Sequence, residues 1–175
     1  MAKEISLVEL LVKGEQEVFN DLLAWARSGP YVVYTDNKHY IFAAPTGVCY
    51  NSCLVAHLDT VKGPKDRPVV LGTQGSVVYN KNGVLGADDR AGAYIVTHIA
   101  AASQYPPYVL FTTGEENGCV GVSQFISDGV IDPFLADINV FVEYDRRGVN
   151  EYVQYGGVNH NQKLQAIVEM YGYEK

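Results

Sequence analysis

Apolar residues near the N-terminus (Leu7, Leu10, Leu11, Val18, Leu22 and Trp25) recur at roughly helical spacing. Ser6 and Glu9 stand three apart at the head of this run, a capping-box pattern in which each side chain reaches a backbone amide of the other. Gly14 divides the segment into two helices or bends it, and Ser28-Gly29-Pro30 ends it. The period then changes. Residues 31–34 and 39–44 are rich in β-branched and aromatic side chains and are separated by Thr35-Asp36-Asn37-Lys38, which predicts a β-hairpin. Residues 53–58 (CLVAHL), 108–113 (YVLFTT) and 138–144 (INVFVEY) are short apolar runs of the kind expected for strands buried on both faces. Residues 69–85 carry two further strand-like runs, with turn signals at Gly75-Ser76 and Asn82-Gly83. Helices are predicted over 89–102, 120–127 and 160–171, the last with Asn159 as its cap and Gly172 at its end. Strands alternating with helices predict an α/β fold, a three-layer α/β/α sandwich with a mixed, mostly parallel central sheet. No linker divides the chain, so one domain over 1–175 is expected.

Composition removes several function classes. With 47% hydrophobic and 19% charged residues, the 175-residue chain is too apolar for intrinsic disorder. No apolar run approaches the ~20 residues that span a bilayer, and the first residues lack the pattern of a secretory signal. A net charge of −7 argues against a nucleic-acid partner. Cys49, Cys53 and Cys119 are an odd number of thiols, and a reduced, cytoplasmic setting is expected.

Candidate chemistry sits at the ends of the predicted strands. His57-Leu58-Asp59 follows the first buried run, Gly114-Glu115-Glu116 the second and Asp145 the third, while Asp88-Asp89 opens the Ala-rich helix. Ligands of α/β sheets bind at the carboxyl ends of strands, so these groups are expected on one rim. Crowded carboxylates repel: two unit charges ~4 Å apart cost about 4 kcal/mol at an effective dielectric of 20. Such a cluster takes up protons or holds a cation. One imidazole with several carboxylates suits Zn²⁺, or Mn²⁺ or Co²⁺, better than Ca²⁺ or Mg²⁺. Asp59 is placed to accept the second N–H of His57. Plainer readings stand beside this one. A histidine after a strand is often structural, an aspartate at a helix start is often a cap, and paired glutamates in a loop are often solvated surface. Cys119, three positions past the glutamate pair, either approaches the site or is a passive buried thiol, the plainer reading.

The motifs VAHLDTV (55–61), LGADDRAG (85–92), FTTGEENG (111–118) and VEYDRRG (142–148) resemble, in order, those of the co-catalytic dizinc exopeptidases, with LGADDRAG nearest to peptidase T-like sequences and the set also similar to zinc aminopeptidases. The resemblance implies a zinc-exopeptidase-like catalytic core and a metal-dependent hydrolase that cleaves amide bonds of small peptides, of amino- or dipeptidase type, through a metal-activated water. It implies His57, Asp88, Glu116 and Asp145 as metal ligands, with Asp88 bridging two ions, Glu115 as general base and Asp59 as the group orienting His57. It implies one or two zinc ions and a cis peptide bond between Asp88 and Asp89.

The family's second metal also takes a late histidine. After Asp145 this sequence has only His160, at the head of the last predicted helix, so the second site is expected to lack a ligand and the domain its last strands. The 31 residues from His57 to Asp88 leave no room for a large inserted domain, and no lid or dimerisation domain is expected. Arg146 is a candidate for holding a substrate carboxylate, with a local salt bridge as the alternative. A small peptide is the expected partner, with no nucleic acid and no membrane, and an open sheet edge favours a homo-oligomer. The alternative is a catalytically silent relative with a binding or structural role, or a fragment completed by another chain.

Overall fold

Side chains alternate across a β-strand, and here both faces of the central strands are apolar, so the sheet needs a cover on each side. The computed structural model describes residues 4–61 and 68–145, together with 148, 151–153 and 170. The chain divides into two compact units, Met1–Tyr144 and Asp145–Lys175. In the first, the elements run α1 (Leu7–Val12), α2 (Glu15–Ser28), β1 (Tyr31–Thr35), β2 (Tyr40–Pro45), β3 (Tyr50–His57), β4 (Leu71–Gln74), β5 (Val77–Asn80), α3 (Ala87–Ala102), β6 (Pro107–Thr112), α4 (Val120–Ser127), a short 3₁₀ turn (Asp132–Phe134) and β7 (Val140–Glu143). Five strands form one mixed sheet in the order β1-β2-β6-β3-β7. β2 runs antiparallel to both β1 and β6, while β3 is parallel to β6 and β7. The expected three-layer sandwich is therefore the fold.

One face carries Ile41, Ala43, Leu54, Ala56, Val109 and Phe111, covered by α1, α2 and α3 through Leu10, Phe19, Leu22, Trp25, Ala93 and Val96. The other carries Tyr40, Phe42, Ala44, Cys53, Tyr108 and Leu110 beneath Phe125 of α4 and Ile131. Phe42 is the hub of this side, with the rings of Phe125 and Phe134 each 5.2 Å away and Tyr108 stacked at 6.0 Å.

Some local expectations change. Ser6 does cap α1 by its backbone, but its side chain makes no capping bond. Glu9 lies instead 4.0 Å from Lys13 Nζ, one turn on. The cap interaction appears at the next helix, where the Gly14 N–H donates to Glu17 Oε2 at 2.9 Å. β7 is not buried on both faces. It pairs with β3 alone among the described strands, and Phe141 is exposed. The second pair of strand-like runs forms a separate β4–β5 hairpin that turns at Gly75, which has a positive φ, while Asn82-Gly83 lies beyond β5. No helix among the described residues is long and apolar enough to cross a membrane, and all three cysteines are free thiols. In the second unit Met170 is helical and exposed. The rest of the predicted helix over 160–171, with Asn159 and Gly172, lies outside the described residues.

Candidate metal centre

The centre is built where β3 and β6 end side by side. Their parallel register sets His57 opposite Thr112, and the Leu58 N–H continues the pairing to the Thr112 carbonyl at 2.8 Å. The chain segments leaving both strands therefore emerge on one rim. Beyond Thr112, Gly114 turns with a φ of 71°, a left-handed conformation that costs glycine little. Gly121 at the start of α4 lets that helix close on the same turn: a Cβ there would collide with the Thr113 and His39 carbonyls.

His57 is almost wholly buried, at 1% exposure. Its Nδ1 lies 3.1 Å from the Asp59 carbonyl oxygen and 3.4 Å from Asp59 Oδ1. A carbonyl oxygen only accepts, so Nδ1 carries a proton and donates it there. Nε2 is then turned to the acids, 3.2 Å from Asp88 Oδ1 and 3.9 Å from Glu115 Oε2. Asp59 is also buried, and its two oxygens accept the backbone N–H groups of Glu115 and Glu116, each at 3.1 Å. Burial pushes the Asp59 carboxyl up, but His57 and the two amides outweigh it and hold the group below the ordinary carboxylate range. One residue thus fixes the imidazole on one side and both glutamates on the other.

Donor atoms of His57, Glu115 and Glu116 all lie within 4.8 Å of one another. The centre of an equilateral triangle of that side is about 2.8 Å from each corner, and zinc binds nitrogen and oxygen at roughly 2.0–2.2 Å. Shifts of less than an ångström would bring the imidazole and either glutamate to a shared ion, so an imidazole with carboxylates at this spacing suits a divalent cation while leaving one acid beside it.

Asp88 and Asp89 play different parts. The peptide bond between them is cis, as the resemblance implied. The Asp88 side chain is exposed beside His57. The Asp89 side chain is buried and its Oδ1 accepts the Gly92 N–H at 3.1 Å, so Asp89 is the cap of the regular part of α3. Asp145 is exposed and is the first residue of the second unit. Arg146, Arg147 and His160 lie outside the described residues.

The sequence pattern did not single out Glu143, which ends β7 opposite Val55. The residue is exposed, and its carboxyl is raised from the ordinary value by partial desolvation, with His57 opposing that rise and the Glu115 charge adding to it. Its signal was present: it stands two residues before Asp145 in VEYD. Cys119, in a left-handed conformation just before α4, is exposed rather than buried and approaches the site, its Sγ 3.9 Å from Glu115 Oε1.

The sequence model described as Peptidase family M28 matches residues 51–173. No curated protein matches significantly. Among solved structures, the chain is similar to the aminopeptidase PepT from Bacillus cereus, with a TM-score of 0.64, 19% identity and coverage of 84% of this chain and 44% of that one. It is similar to a tripeptidase from Staphylococcus aureus (0.63, 21%, 87% and 46%). It is also similar to the aminoacylhistidine dipeptidase from Vibrio alginolyticus (0.59, 21%, 83% and 33%). At these identities the likeness is one of fold, and the chain spans less than half the length of each.

Proposed function

Because the chain belongs to peptidase family M28, we propose that it is a metal-dependent hydrolase of peptide bonds in small peptides, of aminopeptidase or dipeptidase type. The observation that carries this reading is the buried His57, whose Nδ1 is committed to Asp59 while Nε2 faces Asp88 and Glu115. His57, Asp88, Glu116 and Asp145 are the proposed ligands, with Asp88 shared between two ions where two are bound. An imidazole among carboxylates favours zinc, with Mn²⁺ or Co²⁺ as substitutes.

When bound, such a cation supplies Lewis acidity that polarises a carbonyl and acidifies a nearby water. The remaining work belongs to the chain. Glu115, with a side chain 37% exposed, is reachable by solvent and substrate, and it takes the proton of the attacking water and returns it to the leaving amine. Asp59 keeps the Glu115 and Glu116 backbone in place through both turns of that proton. Arg146 is proposed to hold the substrate carboxylate, the protein to act in the cytoplasm, and two or more copies to associate.

The test is a panel of dipeptides and tripeptides assayed beside metal analysis. Chelation with EDTA should abolish hydrolysis and zinc should restore it. Glu115→Gln should retain metal while kcat falls about 10²–10⁴-fold, the range for a lost general base. A fully active Glu115→Gln would remove Glu115 from the mechanism, and a wild-type chain with no affinity for zinc, manganese or cobalt would remove the metal reading altogether.

A further inference from the structure

Arg90 is the largest of the almost wholly buried side chains, at 1% exposure. A buried guanidinium is unfavourable unless its donors are used. Its Nη1 donates to the carbonyls of Leu10 at 2.9 Å and Lys13 at 2.6 Å, and so closes the C-terminal end of α1. Its Nε donates to the Leu58 carbonyl at 3.4 Å. Nη2 is buried with no hydrogen-bond partner among the described residues. Capping a six-residue helix requires neither the Nε contact nor the burial of a fork with a donor to spare, since an ammonium group would serve.

The Nε contact falls at a sensitive point. The Leu58 carbonyl belongs to the peptide that joins Leu58 to Asp59, and the Asp59 carbonyl receives His57 Nδ1. The Asp59 carbonyl lies on the next peptide, joined to the first at Asp59 Cα, so holding the Leu58–Asp59 plane fixes one side of the φ/ψ pair that sets where that acceptor stands. We infer that Arg90 is a positioning residue for the metal centre: it clamps the Leu58–Asp59 peptide against the end of α1 and so sets the direction in which His57 Nε2 points. This rests on the reading of His57 as a metal ligand. It also makes α1, which precedes the segment matched by the family model, part of the support of the centre.

The experiment is Co²⁺ titration of the full chain, followed by the visible d–d spectrum, for wild type and Arg90→Lys. Lysine keeps the charge and can still serve the α1 carbonyls, but it has no Nε. Far-UV circular dichroism and a thermal melt establish that the variant is folded. The expected result is a folded Arg90→Lys whose Co²⁺ Kd is weakened about 10- to 100-fold, the range for loss of a group supporting a ligand, with an altered spectrum. A folded variant with wild-type Kd and spectrum overturns the inference and leaves Arg90 a helix cap. Should Arg90→Lys not fold, the wild type decides by ¹⁵N NMR. The Arg90 Nε–H resonance should shift on saturation with Zn²⁺, and an unmoved resonance overturns the proposal. A wild type that binds no Co²⁺ refutes the proposed function, and the inference falls with it.

Discussion

Asp59→Asn isolates the group that joins the two halves of the centre. The carboxylate accepts two backbone N–H groups, one on each oxygen. Asparagine is nearly isosteric but keeps one acceptor, so its amide NH₂ must face one of those N–H groups in a site that is almost fully buried. One hydrogen bond to a charged acceptor is lost, worth about 1.5–3 kcal/mol, and two donors are buried face to face. A total near 3 kcal/mol, at roughly 2–4 °C per kcal/mol for a protein of this size, lowers Tm by about 6–12 °C. The assay is thermal unfolding by circular dichroism at pH 7 in EDTA, which keeps metal binding out of the comparison. The pH dependence supplies a second reading. The folded-state pKa of Asp59 is lowered. Its stabilisation is therefore present above the unfolded value of about 3.9 and is lost as pH falls through the folded value. That contribution to acid sensitivity should be missing from the variant. A variant melting within about 2 °C of wild type at pH 7, less than a 1 kcal/mol loss would produce, with the same acid limb, would refute this dual role of Asp59.

Two further outcomes follow from the packing. Phe42→Ala removes the ring on which Phe125, Phe134 and Tyr108 converge, and urea unfolding should show a loss of about 3–5 kcal/mol. Asp36→Ala removes an Oδ1 that accepts the N–H groups of Lys38, His39 and Tyr40 and an Oδ2 that meets His39 Nδ1. It should cost about 1–3 kcal/mol by thermal melt, and it should also lower kcat, because the Lys38 and His39 carbonyls hold Thr113 just before the glutamate turn.

The periodic signals were the legible part of the fold. The apolar runs around Leu54 and Val109 became neighbouring strands, the Ala-rich run became α3, and Gly14 separated two helices because glycine weakens a helix interior while its N–H remained available to Glu17. The run containing Phe141 misled because a strand with one partner and a strand with two have the same local composition; burial is set by neighbours that the pattern does not name. The Ser6–Glu9 spacing also misled: Ser6 makes no side-chain cap, and Glu9 lies 4.0 Å from Lys13 Nζ. In the centre, strand-end placement identified His57, Asp59, Glu115 and Glu116 as neighbours. What it did not convey was that Asp59 acts on the glutamate backbone as well as on the imidazole, or that Arg90 ties the Leu58 carbonyl to the end of α1. Those contacts join residues 32 to 80 positions apart, and nothing local encodes them.

A carboxylate that straddles two consecutive amides leaves the glutamate turn no room to breathe by itself. To loosen it, the seam between two parallel strands must open first, so this loop shares the fate of the sheet rather than that of the surface. The backbone that bears Glu115 and Glu116 is thereby tied to the sheet, and on the proposed reading the accommodation of a bound peptide comes from elsewhere than this turn.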